Sequence, residues 1–501
     1  MPSAPRTFPT LSRTSIALIL AVATALVVGV AGILVVKGAG GSERVATGMP
    51  SPGGVPTAGP INQKVQGLTT FRGNLSRSYY GEGPVPSNPV IQWREPDEKM
   101  CMTSMVGTDS GQWCGTGWTG QPNVIQGADG SIEVREGAYD GHYHFVDGGT
   151  GRPVRPDLVT RDLAKGSATS DPDGYPLYYA GSRDNYLRVV ALDRPDPTVL
   201  WEVNADTSVS RPLRNNDWDG APLIVHGYLL EGGENGWLYV IRLNRGYDTR
   251  GFVTVDPQIV ATIPGFDDQL LHDLGDKEVS IESSVAFRGG VVYFANSGGL
   301  VQGWDISDLL RGGTQYQQVF RFWTGDDTDA SVVIDDAGFL YVASEYQRFN
   351  DRAKQVGQLM KLDPKKPEQP EVWGIAARQI GFEGAGGSWS TPALYGGLVF
   401  FTTAAGRVLE VDRDSGHILW EGHVGAPAIG SPVVVDGVLI QGDCRGDLYA
   451  WNVSDPSKVP GLIWKMHFDG CIESTPAVWH GWLYLGTREG YLFGIADAAT
   501  P

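Results

Sequence analysis

The sequence predicts an all-β fold: an eight-bladed β-propeller closed by an N-terminal strand, with one transmembrane helix and a flexible linker ahead of it. Three observations predict it. A short pattern recurs from near Gly120, Gly166, Gly220, Ser283, Ala330, Ser390, Gly430 and Ser474. Each copy opens on a small residue and Pro or its equivalent, then runs apolar stretch, D-G or G-G turn, apolar stretch, Gly turn and third strand. The interval from Pro392 to Pro432 is 40 residues and that from Pro432 to Pro476 is 44, and a period of roughly 40–50 with four short strands per unit is that of a propeller blade. Finally, the last copy, "STPAVWHGWLYLGTREGYLFGIADAATP", supplies only three strands. The fourth has to come from elsewhere.

The elements follow in chain order. Residues 1–15 form a short tail containing Arg6 and Arg13. Ile16–Val36, "IALILAVATALVVGVAGILVV", is an uncharged stretch of 21 residues, matching the roughly 20 needed to cross a bilayer core. A cleavable signal has a shorter apolar region and a small-residue cleavage site at its end, whereas Ala21-Val22-Ala23 sits mid-segment. The arginines ahead of the span place the tail in the cytoplasm, so the expectation is a single-pass signal-anchor in the cell membrane with the rest exported. Residues 37–68 are Gly/Pro-rich with few large apolar groups and read as a tether. The propeller is assigned to 69–501.

Within it, "PSNPVIQWREP" (Pro86–Pro96) is a lone strand around Trp93 with no blade before it. An open ring would leave exposed strand edges, so this strand is expected to pair with the last blade and close the circle. The four cysteines, Cys101, Cys114, Cys444 and Cys471, suit an exported chain, and spacing favours the pairs Cys101–Cys114 and Cys444–Cys471. No C-x-x-C with zinc-ligand spacing accompanies them. His142 and His144 in "DGHYHF" share one face of a strand and read as exposed or packed strand histidines. The "NLS" at Asn74 and "NVS" at Asn452 match a glycosylation sequon.

The docking residues carry a family resemblance. "EVDRDSGHILW" (Glu410–Trp420) and "ALDRPDPTVLW" (Ala191–Trp201) resemble the tryptophan-docking repeat of quinoprotein-type propellers. Asp193, Asp412, Gly416, Trp201 and Trp420 match that repeat, and Glu410 and Pro197 depart from it. "FVDGGTGRPVR" keeps Asp147, Thr150 and Gly151 but has Arg155 where the tryptophan belongs. Trp93, Trp201, Trp420 and Trp464 are therefore expected to pack between blades, since a buried Trp edge is a large apolar contact.

The resemblance implies two functional classes. One is the pyrroloquinoline-quinone dehydrogenase with bound calcium. The other is a propeller used as a binding scaffold, as in the outer-membrane assembly lipoprotein. The adjacent-cysteine ring of the alcohol-dehydrogenase members is absent, and there is no G-x-S-x-G, H-E-x-x-H or Walker loop. No catalytic residue is assigned. The expectation is a binding or scaffold module for a protein or cell-envelope partner, monomeric and without a cofactor; the alternative is the quinone- and calcium-dependent dehydrogenase. A formal charge of −18 argues against non-specific nucleic-acid binding.

One constellation points to a functional face. Aligning the residue just ahead of each innermost strand gives Thr119, Lys165, Asp219, Glu282, Asp329, Trp389, Ile429 and Glu473, which should ring one mouth of the central channel. Four carboxylates there (Asp219, Glu282, Asp329 and Glu473) repel unless cations or donors balance them, and hard cations are held by oxygen ligands of this kind. The bland reading is that each caps its strand, for example through Ser283 or Ser474. "NNDWDG" and "GDDTDAS" add acids and amides to the same rim.

Overall fold

The computed structural model describes residues 59–498, apart from 62–63, 107–108 and 214. The expected tail, the 16–36 span and most of the linker lie outside the described residues. No helix among the described residues is long and apolar enough to cross a membrane.

The repeat resolves into eight sheets of at least four strands. Blade 6 is representative: Ala393–Tyr395, Leu398–Thr402, Arg407–Asp412 and Ile418–His423 pair antiparallel in sequence order. Alternate residues of neighbouring sheets interdigitate, as where Trp420, Phe400 and Leu448 share one cluster. Blade 8 takes Ala477–Trp479, Trp482–Thr487 and Tyr491–Asp497 from the C-terminal end and its outer strand, Pro89–Glu95, from the N-terminal end. Trp93 stands opposite Gly494 in that antiparallel pair. The ring closes as the incomplete last copy requires.

A shared irregularity explains the docking repeat. In blades 2 to 8 the register slips by one residue between the third and fourth strands. Such a bulge bends the outer strand and re-aims a side chain. At the slip stand Trp201, Trp373, Trp420, Trp464 and Trp93. Trp93 Nε1 donates to Gly148 O of blade 1 at 2.8 Å and Trp373 Nε1 to Arg413 O of blade 6 at 3.1 Å. The turn glycine of the repeat makes room for the ring. Gly151 (φ 73°) and Gly416 (φ 73°) lie so close to Trp93 and Trp373 that a Cβ would come within 2.7 Å and 2.6 Å of the indole. Arg155, in the tryptophan's place, still crosses to blade 2, donating to Leu192 O at 2.8 Å. Blade 1 has only Leu158–Val159 as a fourth strand, which leaves Trp201 partly buried beside a groove of about 420 Å³.

Both disulfides form as the spacing suggested. Cys101 and Cys114 face each other across a hairpin, Cys101–Val106 and Asp109–Cys114, between the closing strand and blade 1. Cys444, in the turn after Val438–Gly442 of blade 7, joins Cys471 just ahead of blade 8.

The centre of the ring is filled by the chain itself. Gln66–Leu68, assigned to the linker from sequence, instead pair with Asn123–Gln126 as a fifth, innermost strand of blade 1. The chain then touches every other inner strand in turn. Thr69 O accepts from Ser170 in blade 2, Leu75 O from Phe287 in blade 4 and Ser76 O from Ile334 in blade 5. Gly81–Glu82 pair parallel with Ala477–Trp479 of blade 8. Arg77 donates to Ala221 O and Val285 O of blades 3 and 4 at 2.9 and 2.8 Å. Arg72 donates to Thr391 O and Pro392 O of blade 6 and Pro432 O of blade 7, each at 2.7 Å. Both arginines are fully buried. Burial pulls Arg72 down to about 10 and Arg77 to about 9, so both stay charged at neutral pH. Inner strands present an unpaired edge to the channel, and buried carbonyls there need donors; the two guanidinium forks supply several at once.

Candidate functional site at the channel mouth

The residue ahead of each inner strand lies at the chain's entry to that strand, and the structure brings some of the expected ring together. Thr119, Asp219, Glu282 and Asp329, from blades 1, 3, 4 and 5, line one small cavity with Trp118, Ser284 and Ser331, and Phe71 of the central segment also lines it. Lys165 joins them: its ammonium is 5.0 Å from the Trp118 ring centre. Glu473 is drawn aside into an ion pair with Arg488 at 3.0 Å. Trp389 packs edge-on against Phe382 at 5.6 Å and is not among the cavity residues, and neither is Ile429, which is buried.

Glu473 accepts from Trp118 N at 3.4 Å, but the two serines named as capping partners bond elsewhere. Ser283 Oγ donates instead to Ala295 O, and Ser474 Oγ accepts from Gly486 N. Lys165 Nζ lies 2.7 Å from Asp219, 3.1 Å from Asp217 and 3.3 Å from Glu234. Arg183 approaches Asp217 at 3.6 Å. Burial disfavours the Lys165 ammonium, but Asp219, Glu234 and Asp217 outweigh it and hold the group well above the usual lysine range. Burial also pushes Asp217 up to about 6 against the pull of Lys165, and raises Asp219 and Glu234. In this part of the mouth two cations face three acids.

The other part is not balanced in the same way. Asp327, Asp329 and Glu345 form a second trio whose carboxylate oxygens lie within 4.8 Å of one another, as do those of Asp217, Asp219 and Glu234. Burial raises Glu282, Asp329 and Glu345 well above the carboxylate range, and their mutual repulsion adds to it. Ser297 Oγ donates to Glu282 at 3.2 Å. The sequence reading singled out neither Glu234 nor Glu345. Both follow the second strand of a blade, and only the antiparallel return of that strand sets them beside the D-x-D ahead of the first. The available signal was the pairing of "DWD" with "GGENG" and of "DTD" with "ASEYQ", the Glu lying 15 residues after Asp219 in the one and 16 after Asp329 in the other.

The histidines lie away from the mouth, on the third strand of blade 1. Asp140 sits between them, 3.2 Å from His144 Nε2 and 3.4 Å from His142 Nδ1, and Asp157 takes His144 Nδ1 at 3.1 Å. They are packed strand histidines held by carboxylates. Asn74 is buried within the central segment and Asn452 is exposed.

With this geometry established, comparison with known proteins is informative. Residues 357–467 match the family model described as outer membrane protein assembly factor BamB. No curated protein is close enough in sequence to count as a relative. BamB from Moraxella catarrhalis superposes with a TM-score of 0.52 at 15% identity, over 79% of this chain and 100% of that one. The quinohemoprotein alcohol dehydrogenase from Comamonas testosteroni gives 0.54 at 12% identity, over 87% and 81%. A europium-containing methanol dehydrogenase gives 0.56 at 12%, over 86% and 98%. At these identities the likeness is one of fold.

A quinone cofactor is the group such a fold can hold. The cavity that Trp118, Asp219, Glu282 and Asp329 enclose is about 10 Å³, room for about one water. A planar three-ring quinone does not fit in that cavity.

Proposed function

We propose that the protein is a membrane-tethered, extracytoplasmic propeller that acts as a binding or scaffold module for a protein or other cell-envelope partner. The observation that carries this reading is the central segment. Phe71, Arg72, Arg77 and Tyr80 are buried in the middle of the ring and bonded to its inner strands. A channel filled by the protein's own chain leaves the two faces and the outer strands as the surfaces that meet other molecules. The match of residues 357–467 to an assembly-factor model points the same way, and the tether and the Ile16–Val36 span would hold the ring at a membrane surface.

Cross-linking in intact cells, followed by purification of the full chain from membranes, tests the reading. One or a few envelope proteins should be recovered, and fewer when the mouth is altered by Trp118→Ala. Recovery of none, together with a quinone absorption band and dye reduction after incubation with pyrroloquinoline quinone and calcium, would replace this reading with that of a dehydrogenase. Topology is checked separately. Protease added to cells stripped of their wall should cut the tether and release the ring; a protected ring would overturn the outside placement.

A further inference from the structure

Lys165 and Asp219 stand ahead of the innermost strands of neighbouring blades, 2 and 3, and their main chains touch. Gly166, next to the lysine, lies so close that at its φ of 60° a Cβ would come within 1.8 Å of Asp219 O. The two side chains therefore start side by side. Lys165 Nζ is 2.7 Å from Asp219 Oδ2 but off the hydrogen-bonding direction, so that neither Asp219 oxygen accepts a well-angled bond. The neighbouring acids are held otherwise. Glu234 Oε1 accepts from Lys165 Nζ at 3.3 Å, and its other oxygen accepts from Asn215 Nδ2. Asp217 stands 3.1 Å from Nζ and 3.6 Å from Arg183.

Water is kept from this contact. Lys165 is 9% exposed, Asp217, Asp219 and Glu234 are buried, and the Trp118 ring centre lies 5.0 Å from Nζ. In water an ammonium and a carboxylate do not condense to an amide, because hydration stabilises both ions. Burial strips that hydration from the pair. It also fixes the amine beside the carboxyl carbon, and well-oriented intramolecular partners react as if at roughly 10⁵–10⁸ M. Blade 5 repeats the three acids as Asp327, Asp329 and Glu345, but Glu282 stands ahead of blade 4 where Lys165 stands ahead of blade 2. That second trio has the carboxyl groups without the amine.

We propose that Lys165 and Asp219 condense to an intramolecular isopeptide bond that staples blade 2 to blade 3, with Glu234 moving the protons. Glu234 takes one proton from the Lys165 ammonium and passes it to an Asp219 oxygen, leaving a neutral amine beside a carboxylic acid. Nζ then attacks Asp219 Cγ and forms the C–N bond. Glu234 carries a second proton from the nitrogen to the same Asp219 oxygen, the C–O bond breaks and water leaves. One hydrogen stays on the amide nitrogen, and Glu234 ends as it began. Nothing is oxidised or reduced, and no activating group is consumed. Glu234, pushed up to about 7 by burial, can take and return a proton near neutral pH. Asp219 is the acceptor because it is the nearest of the three acids and the one that no donor holds. The bond removes one buried positive and one buried negative charge together and leaves Asp217 with Arg183. The proposal does not rest on the binding-module reading, since the staple stiffens the ring whatever the ring contacts.

The test is mass spectrometry of the full-length protein, purified folded and then reduced and unfolded. The wild-type chain should be lighter than its sequence by one water. Trypsin should fail to cut after Lys165 and should leave a branched peptide joining Lys165 to Asp219. Lys165→Arg and Asp219→Ala should abolish the branch and restore the missing water. Asp219→Asn should still couple, expelling ammonia in place of water and reaching the same product mass, which an ion pair alone does not do. Glu234→Gln should leave most chains unlinked although both partners remain. Separate Lys165 and Asp219 peptides from folded wild-type protein, at full mass, would overturn the proposal without any variant having to fold. A branch from Lys165 to Asp217 or Glu234 would equally overturn the choice of Asp219.

Discussion

His144 shows what a single buried residue contributes. It is held between Asp140 and Asp157, with Glu136 buried nearby and His142 beyond Asp140. Burial works against its charge, but the two carboxylates prevail and push it up to about 9. A histidine whose folded value is raised stabilises the fold fully below its ordinary value near 6.5 and loses that contribution as pH rises through about 9. The difference corresponds to about 3 kcal/mol. Stability by chemical denaturation should therefore fall between pH 6.5 and 9, and His144→Gln should flatten that slope. His142, also raised by Asp140, acts in the same direction, so His142→Gln should flatten it less. An unchanged slope in His144→Gln would mean that His144 is neutral in the folded ring. Arg72 is the other residue-scale case. Arg72→Met leaves three buried carbonyls without a donor, at roughly 1–3 kcal/mol each, and should lower the denaturation midpoint strongly. Arg72→Lys should recover little, because a point ammonium cannot reproduce the guanidinium fork.

Among elements, the closing strand and the central segment do different jobs, and truncation separates them. The closing strand pairs along Pro89–Glu95 and buries Trp93, which is 7% exposed. Trp93→Ala should cost about 3–5 kcal/mol, the usual range for a buried Trp cavity, seen as a markedly lower melting temperature. Deletion through Ala58 removes only residues ahead of the described structure and should leave a soluble ring. Deletion through Glu82 keeps the closing strand but removes the central segment, unpairing inner-strand groups in all eight blades. It should give an aggregating or expanded protein. If its melting temperature matched that of the deletion through Ala58, the segment would be a passenger rather than part of the core.

Over the whole molecule, the ring architecture was legible because its signals are local and repeated. Small-residue starts, D-G and G-G turns and a docking tryptophan each have their cause within a few residues, and the unmatched last copy required a partner strand such as the one around Trp93. The cysteine pairs were legible for the same reason: each links residues that neighbouring strands or turns bring together. Trp373 escaped notice although it occupies the same bulged position as Trp420, because "EVWGI" lacks the Asp-and-Gly turn that usually precedes the ring.

What the sequence by itself determined was the repeat number, the closure and the acidic character of one channel mouth. What only the tertiary structure decided was what fills the centre and which acids are neutralised. Residues 66–82 have no period and no turn signature, since their partners are carbonyls and amides on eight different strands rather than neighbours in sequence. Likewise, nothing near Asp219 or Asp329 in the chain announces that Lys165 comes to the one and Glu282 to the other. Charge balance in a ring is set by what the preceding blade contributes, a relation between residues more than 40 positions apart.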